Sequence, residues 1–149
     1  MTVNCIDSAM IKSISGKCYA GQTYDDAKAE GGSIFREFKR LNKNNDSVLS
    51  SDEILENRNK RAAVWKTIST IFIAIALYRC ACGILANSSG AIMEGCMKRL
   101  DTTAGGVSFT LFTNALIHGG VGLFAKHKAN KINNESANMI RLNNKIDAA

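Results

Sequence analysis

The sequence predicts an all-α fold, and three features of its composition support that prediction. The 149 residues include no proline, whereas average usage would give about seven, and proline is the residue that most often interrupts a helix. Aromatic residues make up only 7%, and runs of alternating β-branched residues are scarce, which disfavours a sheet. With 46% apolar and 21% charged residues, the chain is apolar enough to fold, and its length suits one helical domain over residues 1–149.

The first elements follow from the spacing of apolar residues. A short helix and a turn are predicted over residues 1–23. A second helix begins near Asp25, because carboxylates suit a helix start, and it is loosened by a glycine pair at 31–32. Beyond the glycines, one apolar stripe at helical spacing continues the helix and consists of Ile34, Phe35, Phe38 and Leu41.

The second half of the chain is predicted to be helical as well. A long helical stretch starts at Ser51, is uncharged from Thr67 to Tyr78, and is expected to break at Gly83 and residues 87–90. Two shorter helices are predicted over 91–100 and from about Phe109 to Phe124. A separate, loosely amphipathic helix from Lys126 brings the expected total to about six.

The most specific pattern lies in residues 42–53. A hard divalent cation such as Ca²⁺ takes six to eight oxygen ligands, which a twelve-residue loop supplies from alternate positions before closing on a bidentate Glu. With Asn42 as position 1, side-chain oxygens fall at positions 1, 3, 5 and 9, a backbone carbonyl at position 7, and the closing carboxylate at position 12. The predicted metal ligands are Asn42, Asn44, Asp46, Val48, Ser50 and Glu53.

This segment resembles the calcium loop of the EF-hand family, with its flanking helices over about 34–60. Leu49 falls at position 8, where the family places an aliphatic residue that pairs with a neighbouring hand. Phe38, Leu41 and Ile54 occupy the apolar sites of the flanking helices. The resemblance implies an EF-hand-like helix–loop–helix within a small single-domain helical bundle. It also implies a weak-affinity calcium sensor, buffer or structural module without catalytic activity.

Two departures from the family pattern lower the expected affinity. Asn42 stands where the family has Asp, so the ligands carry only two formal negative charges, on Asp46 and Glu53. Ser47 stands at position 6, where the sharp turn favours glycine, and a non-glycine residue at positive φ costs roughly 1 kcal/mol. We therefore expect a dissociation constant for Ca²⁺ on the order of 10⁻⁴ M or poorer, with Mg²⁺ as a competitor.

A second interpretation of the same residues stays open. Ser50 and Glu53 fit a capping box, in which the Ser caps the next helix and the Glu three residues later reaches back to the cap. In that case residues 42–53 are an Asn- and Ser-rich connection between two helices that binds no metal.

EF-hands usually occur in pairs, and a candidate partner lies at residues 92–116. Residues 97–101 echo residues 38–42, and Asp101 would open a second loop. Phe112 stands where a chelating Glu would be needed, so this segment is interpreted as a degenerate second hand that has lost its metal. Chance similarity is the alternative explanation.

A membrane location is the main rival to a calcium-binding function. Thr102 to Ala125 is an uncharged stretch of 24 residues, long enough to span a bilayer but rich in glycine and hydroxyl residues. Thr67 to Tyr78 is only 12 residues between two cations, which is typical of a buried core helix. The basic run from Arg58 to Lys66 would dock the chain on an anionic membrane surface. The alternative is thus a small helical membrane-associated or secreted bacterial protein whose loop binds no metal.

Other functions have little support in the sequence. The formal net charge is +6, but the basic residues are scattered without an aromatic platform, so nucleic acid is not an expected partner. His118 and His127 have no catalytic neighbours in sequence, and we expect no enzyme activity. The five cysteines match no zinc spacing.

The expected location and partners follow from the same features. Asp7 and Lys12 interrupt the first apolar run, so no secretory signal is predicted. We expect a cytoplasmic protein or one secreted by a non-classical route, with membrane association as the alternative. A protein partner, or self-association through an apolar helix face, is the expected interaction.

Overall fold

The structure is a computed structural model, and it describes residues 11–88 and 104–147. These residues form four α-helices: α1 (Tyr24–Glu30), α2 (Gly32–Leu41), α3 (Ser51–Ser88) and α4 (Ala104–Asp147). Apart from two isolated bridges, the described residues contain no β-structure, so the predicted all-α class is confirmed.

Within residues 11–88 and 104–147, the two long helices are longer than predicted. The expected separation between an apolar helix ending near Phe124 and a final helix from Lys126 does not exist, because α4 is one helix of 44 residues. α3 likewise passes Gly83 without a break over its 38 residues. A glycine inside a helix costs only about 1 kcal/mol relative to Ala, and packing offsets that cost. The helix predicted over 91–100 lies outside the described residues.

Contacts divide the chain into two compact units, where the sequence predicted a single domain. The head comprises, within the described residues, 11–64 and 129–147. The hairpin comprises 65–88 and 104–128. Each long helix therefore contributes one part to the head and one part to the hairpin.

The described part of the head begins with the turn that was predicted to follow the first helix, and residues 1–10 of that helix lie outside the described residues. Residues 11–23 double back, and the Ser13 N–H donates to the Cys18 carbonyl at 2.8 Å. Gly16 and Gly21 have φ values of 72° and 88°, a region that glycine enters without steric cost. The two glycines thus permit the tight turn between Ile11 and Ala20.

Helices α1 and α2 meet at the predicted glycine pair. Thr23 caps α1, because its Oγ1 accepts the Asp26 N–H at 3.1 Å and donates to the Asp26 carboxylate at 2.6 Å. Gly31 ends α1 with a φ of 69°, and its N–H donates to the Ala27 carbonyl. This positive φ explains why the stripe of α2 starts only after the glycines.

The core of the head gathers apolar residues from the turn and all four helices. The four apolar sites predicted around the loop, Phe38, Leu41, Leu49 and Ile54, are all buried in it. Met139 of α4 packs against this cluster. The remaining buried members are Ile11, Cys18 and Ala27.

Arg58 joins α3 to the last part of α4 inside the head. Its side chain is 1% exposed and donates to the Ser136 hydroxyl at 2.8 Å, the Lys12 carbonyl at 3.0 Å and the Glu135 carboxylate at 2.8 Å. The basic run predicted to face a membrane therefore does not include this residue. Its charge is instead used to hold three parts of the head together.

Candidate functional site

The predicted ion loop, residues 42–53, closes on the carboxylate of Glu53. The Oε1 atom accepts the backbone N–H groups of Lys43 at 2.9 Å and Asn44 at 3.3 Å. The Oε2 atom accepts the Ser50 N–H at 3.1 Å and the Ser50 hydroxyl at 3.2 Å. The Glu53 side chain thus occupies the centre of the loop and ties its first residues to the start of α3.

These hydrogen bonds also set the charge of Glu53. Burial raises the pKa of this carboxyl, but hydrogen bonds from Ser50, Asn44 and Lys43 outweigh burial and hold the pKa below its ordinary value of 4.5. Glu53 is therefore a carboxylate at neutral pH. The Ser50 hydroxyl also accepts the Glu53 N–H at 3.2 Å, so the reciprocal capping box predicted for Ser50 and Glu53 is present.

Asn42 organises the opposite side of the loop. Its Oδ1 accepts the Asp46 N–H at 3.1 Å, and its Nδ2 donates to the Asp46 carbonyl oxygen. Between them Asn45 takes a φ of 55°, the single positive φ of a non-glycine residue within the described ranges. Asn enters this region readily, so the strain predicted for Ser47 is absent and the tight turn falls two positions earlier.

The structure brings together some of the predicted ligands. Glu53 and Ser50 are in direct contact, and Asn42 is held in the same loop by the backbone of Asp46. Asn44, Asp46 and Val48 are exposed, and within the described residues no hydrogen bond joins their side chains to Glu53.

The donor chemistry is consistent with a weak cation site and no more. Within residues 11–88 and 104–147, no group of three or more His, Cys, Asp and Glu side chains is arranged so that it could hold a metal ion. The loop offers two carboxylates, Asp46 and Glu53, so amide, hydroxyl and carbonyl oxygens would have to complete the coordination. Both Glu53 oxygens already accept N–H groups, and a cation would compete with those donors.

The loop pairs with residues 21–24, which the sequence interpretation missed. The Gly21 N–H donates to the Leu49 carbonyl at 2.9 Å, and the Leu49 N–H donates to the Gln22 carbonyl at 2.9 Å. Thr23 and Val48 form an antiparallel bridge. The sequence does contain a related pattern. Thr23 and Asp26 have the same three-residue spacing as the capping pair Ser50 and Glu53, and precede that pair by 27 positions.

The structure describes only the later part of the degenerate second hand predicted at 92–116, and that part differs from the prediction. From Ala104 onward the chain is α-helical, so residues 104–112 are not the second half of a loop. Asp101 and the preceding residues lie outside the described ranges. The partner of loop 42–53 within the described chain is the 21–24 segment.

The hairpin is held together by small side chains. A Cβ atom added to Gly122 would lie 2.7 Å from Ile73 Cγ1, and one added to Gly119 would lie 3.8 Å from Ala76 Cβ. One added to Gly83 would lie 3.2 Å from the Phe112 ring. These pairs run in opposite directions along the two helices, so the segments of α3 and α4 are antiparallel and closely packed.

The large apolar side chains of the hairpin face outward. Leu77, Leu116 and Leu123 are 66%, 78% and 63% exposed. The stretch 67–78, for which a buried core helix was expected, is therefore exposed at several of its large apolar side chains within the described residues. The other exposed large apolar side chains of the hairpin are Ile71, Tyr78, Ile84, Leu85, Phe109, Phe112, Ile117, Val121 and Phe124.

Polar groups of the hairpin are bonded within the helices. The Thr70 hydroxyl donates to the Lys66 carbonyl at 3.0 Å, and the Thr113 hydroxyl donates to the Phe109 carbonyl at 2.9 Å. His118 stacks on Phe72 with ring centroids 5.6 Å apart, and its Nδ1 lies 2.6 Å from the Asn114 carbonyl. Hydroxyls that bond their own helix remain satisfied in the absence of water.

One end of the hairpin combines aromatic and cationic side chains. Trp65 and Phe124 pack edge to face with centroids 6.4 Å apart. The Lys128 ammonium lies 5.4 Å from the centroid of the Phe124 ring. Lys66 and Lys126 are exposed beside the two aromatic residues in sequence.

Length and composition alone would let one described helix cross a membrane. The candidate is Ser51–Leu85, whose most apolar window has a mean hydropathy of 2.0 and is 17% buried. No protein-family model matches the chain, and neither does any curated protein or solved structure. Its function is therefore inferred from the geometry of the loop and of the hairpin.

Proposed function

We propose that the hairpin inserts into a lipid bilayer and anchors the chain there. The supporting observation is that many of its large apolar side chains are exposed, while Gly83, Gly119 and Gly122 lie against the partner helix. In water such a surface is unfavourable, since soluble monomers rarely expose contiguous apolar patches of more than a few hundred Å². In a bilayer the same arrangement is favourable, because lipid covers the apolar faces and small residues let the helices approach.

The dimensions support a bilayer rather than a protein as the occupant of this surface. From Thr67 to Leu85 the helix rises roughly 27 Å, close to the hydrocarbon thickness of about 30 Å. The apolar side chains lie on both helices and on several faces, which a single protein groove would not cover. Cations and aromatic side chains stand at one end, where a membrane–water interface is expected.

Arg79 is the main cost of this arrangement. It is half-buried and lies 13 positions beyond Lys66, or roughly 20 Å along the helix. An Arg at the centre of a bilayer costs about 2.5–3.5 kcal/mol, and less where its long side chain reaches toward headgroups. The many outward apolar side chains of the hairpin offset a cost of this size.

Vesicle flotation tests the proposal. Protein diluted from detergent into neutral phosphatidylcholine vesicles is expected to float with them and to resist extraction by carbonate. The variant with Leu77→Asp, Leu116→Asp and Leu123→Asp should stay in the aqueous fraction, because each charge costs about 3 kcal/mol in hydrocarbon. A matched variant with Ile14→Asp, Leu142→Asp and Ile146→Asp replaces exposed apolar residues of the head and should float like the parent.

Three outcomes would contradict membrane insertion. The first is a parent protein that stays monomeric and soluble without detergent, and the second is a defined oligomer that covers the hairpin. Equal flotation of the two triple variants would show that the outward leucines do not contact lipid.

A second candidate function is weak calcium binding by loop 42–53. The observation that favours it is the closed loop, in which position 12 already reaches the residue after position 1. Asn42, Asn44, Asp46, Ser50 and Glu53 would supply side-chain oxygens, and Val48 its carbonyl oxygen. The ion would neutralise the two carboxylates and replace N–H groups at Glu53, which is a reason to expect an affinity near 10⁻⁴ M or poorer.

A calcium titration followed by backbone NMR tests this second function. The amides from Asp46 to Glu53 should shift first, and Mg²⁺ should compete. Glu53→Gln should abolish the shifts, whereas Asp52→Asn, an exposed neighbour in the same helical turn, should keep them. If millimolar Ca²⁺ moves no amide, the loop is a capped connection that binds no metal.

A further inference from the structure

The hairpin carries its cations at the same end as its interfacial aromatic residues. Lys66 follows Trp65 on α3, and Lys126 and Lys128 follow Phe124 on α4. Because Trp65 packs on Phe124, these three lysines belong to one end of the hairpin. All three are exposed, and we call them the lysine collar.

No acidic residue neutralises the collar from within the hairpin. Residues 65–88 and 104–128 contain no Asp and no Glu. Their formal charges are the three lysines of the collar and Arg79, so the hairpin has a formal charge of +4 with His127 neutral. A desolvated apolar unit with cations at its rim is complementary to a surface that offers both hydrocarbon and negative charge.

We propose that the lysine collar binds the phosphate groups of anionic phospholipids, so that the hairpin selects an anionic leaflet. This inference rests on the proposed insertion and adds the headgroup chemistry. Trp65 would lie at the level of the headgroups, where indole rings accumulate, and the lysine stems would extend along the hydrocarbon boundary. Each lysine near an anionic surface favours association by about fivefold, from the roughly 1 kcal/mol that such a contact supplies.

Trp65 gives a direct readout, because it is the one tryptophan in the chain. The protein is reconstituted into vesicles of phosphatidylcholine containing about one third phosphatidylglycerol, a strongly anionic surface. In one preparation the phosphatidylglycerol carries brominated acyl chains, and in the other an equal amount of the phosphatidylcholine does. Overall lipid composition is the same in both, so the difference in quenching measures which lipid lies beside Trp65.

We expect quenching by the brominated anionic lipid to be at least about twofold stronger than by the neutral one. Salt at about 1 M should remove the preference, since the Debye length then falls to roughly 3 Å. Lys66→Gln, Lys126→Gln and Lys128→Gln together should remove it as well. The matched variant with Lys28→Gln, Arg36→Gln and Lys145→Gln removes the same charge from exposed positions of the head and should retain the preference.

The possible failures are distinguishable. If neither brominated lipid quenches Trp65, the hairpin is not inserted and the proposed function fails together with this inference. If both lipids quench equally at low salt, the hairpin is inserted but the collar does not select anionic headgroups. If the collar variant and the head variant lose the preference for anionic lipid equally, the effect comes from net charge, and the proposed role of the collar is wrong.

Discussion

The two units of this chain place large and small side chains in opposite positions. In the head, Phe38 and Ile54 are buried among other apolar residues, while the charged side chains other than Glu53 and Arg58 are exposed or half-buried. In the hairpin, Gly122 contacts the partner helix while Leu77 and Leu116 face outward. The same chain thus follows the pattern of a water-soluble core in one unit and the pattern of a lipid-covered pair in the other.

The surroundings of a helix segment, and not the average composition of the chain, thus decide which of its side chains are buried. α3 passes from one unit to the other without a break. Its first turns show a charged outer face, whereas its later turns are apolar on the exposed side.

The largest effect is expected at Arg58 in the head. Arg58→Met removes three hydrogen bonds that join Lys12, Glu135 and Ser136, and should destabilise the head by about 3 kcal/mol. Native-state hydrogen exchange of the core amides measures this loss directly. Arg61→Met, an exposed position one turn later, should change protection little, and equal effects of the two variants would refute the role of Arg58.

The hairpin should be most sensitive at Gly122. A Cβ there would meet Ile73 Cγ1 at 2.7 Å and the Ser69 carbonyl oxygen at 3.3 Å, so Gly122→Ala should cost about 1–3 kcal/mol. Gly120 has nothing within 4 Å, and Gly120→Ala should stabilise its helix by up to about 1 kcal/mol. Thermal unfolding in detergent compares the pair, and the same sign for both would contradict this close approach.

Acidification should open loop 42–53 in the head and leave the hairpin folded. The pKa of Glu53 is lowered in the folded state, so its contribution is present at neutral pH and is lost as pH falls through that lowered pKa, below 4.5. The amide signals of Lys43 and Asn44 report the transition in a pH titration by NMR. Glu53→Gln should weaken the loop by about 1 kcal/mol and remove the transition. A transition that survives in this variant would have another origin.

The smallest effect, and the one with the opposite sign, is expected at Gln22. Its side chain is fully buried, and neither amide atom finds a hydrogen-bond partner among the residues that the structure describes. Gln22→Met keeps the volume and removes the burial cost, so it should stabilise the head by about 1 kcal/mol. The Leu49 backbone N–H donates to the Gln22 carbonyl, so its hydrogen exchange measures the effect. A loss of protection in the variant would mean that the Gln22 side-chain amide has a hydrogen-bond partner.

The sequence predicted the apolar contacts of the head better than its backbone pairing. Helical spacing encodes which residues share a face, and Phe38, Leu41 and Ile54 are buried as expected. The pairing of Leu49 with the Gly21–Tyr24 segment uses backbone groups that every residue carries. Side-chain types therefore gave little sign of this pairing, beyond the repeated Thr–Asp and Ser–Glu caps.

For the hairpin, helical periodicity could be predicted from the sequence, whereas the exposure of the apolar side chains could not. The short uncharged stretch at 67–78 suits a core helix as well as part of a membrane helix, and only tertiary contacts show that its apolar side chains are uncovered. Gly83 was interpreted as a breaker, yet it sits inside α3 against Phe112. A glycine that allows close approach and a glycine that ends a helix cannot be distinguished from one sequence without the partner.

The thiol of Cys18 gives the head a built-in reporter of its own opening. It is fully buried and contacts the Ile34 carbonyl at 3.7 Å, and burial, with Glu37 and Glu30 nearby, raises its pKa to about 11. An alkylating reagent at neutral pH should therefore modify this sulfur only in molecules whose core has come apart. The rate of modification, followed by mass spectrometry of the peptide, would measure how often the head opens in the otherwise unaltered protein.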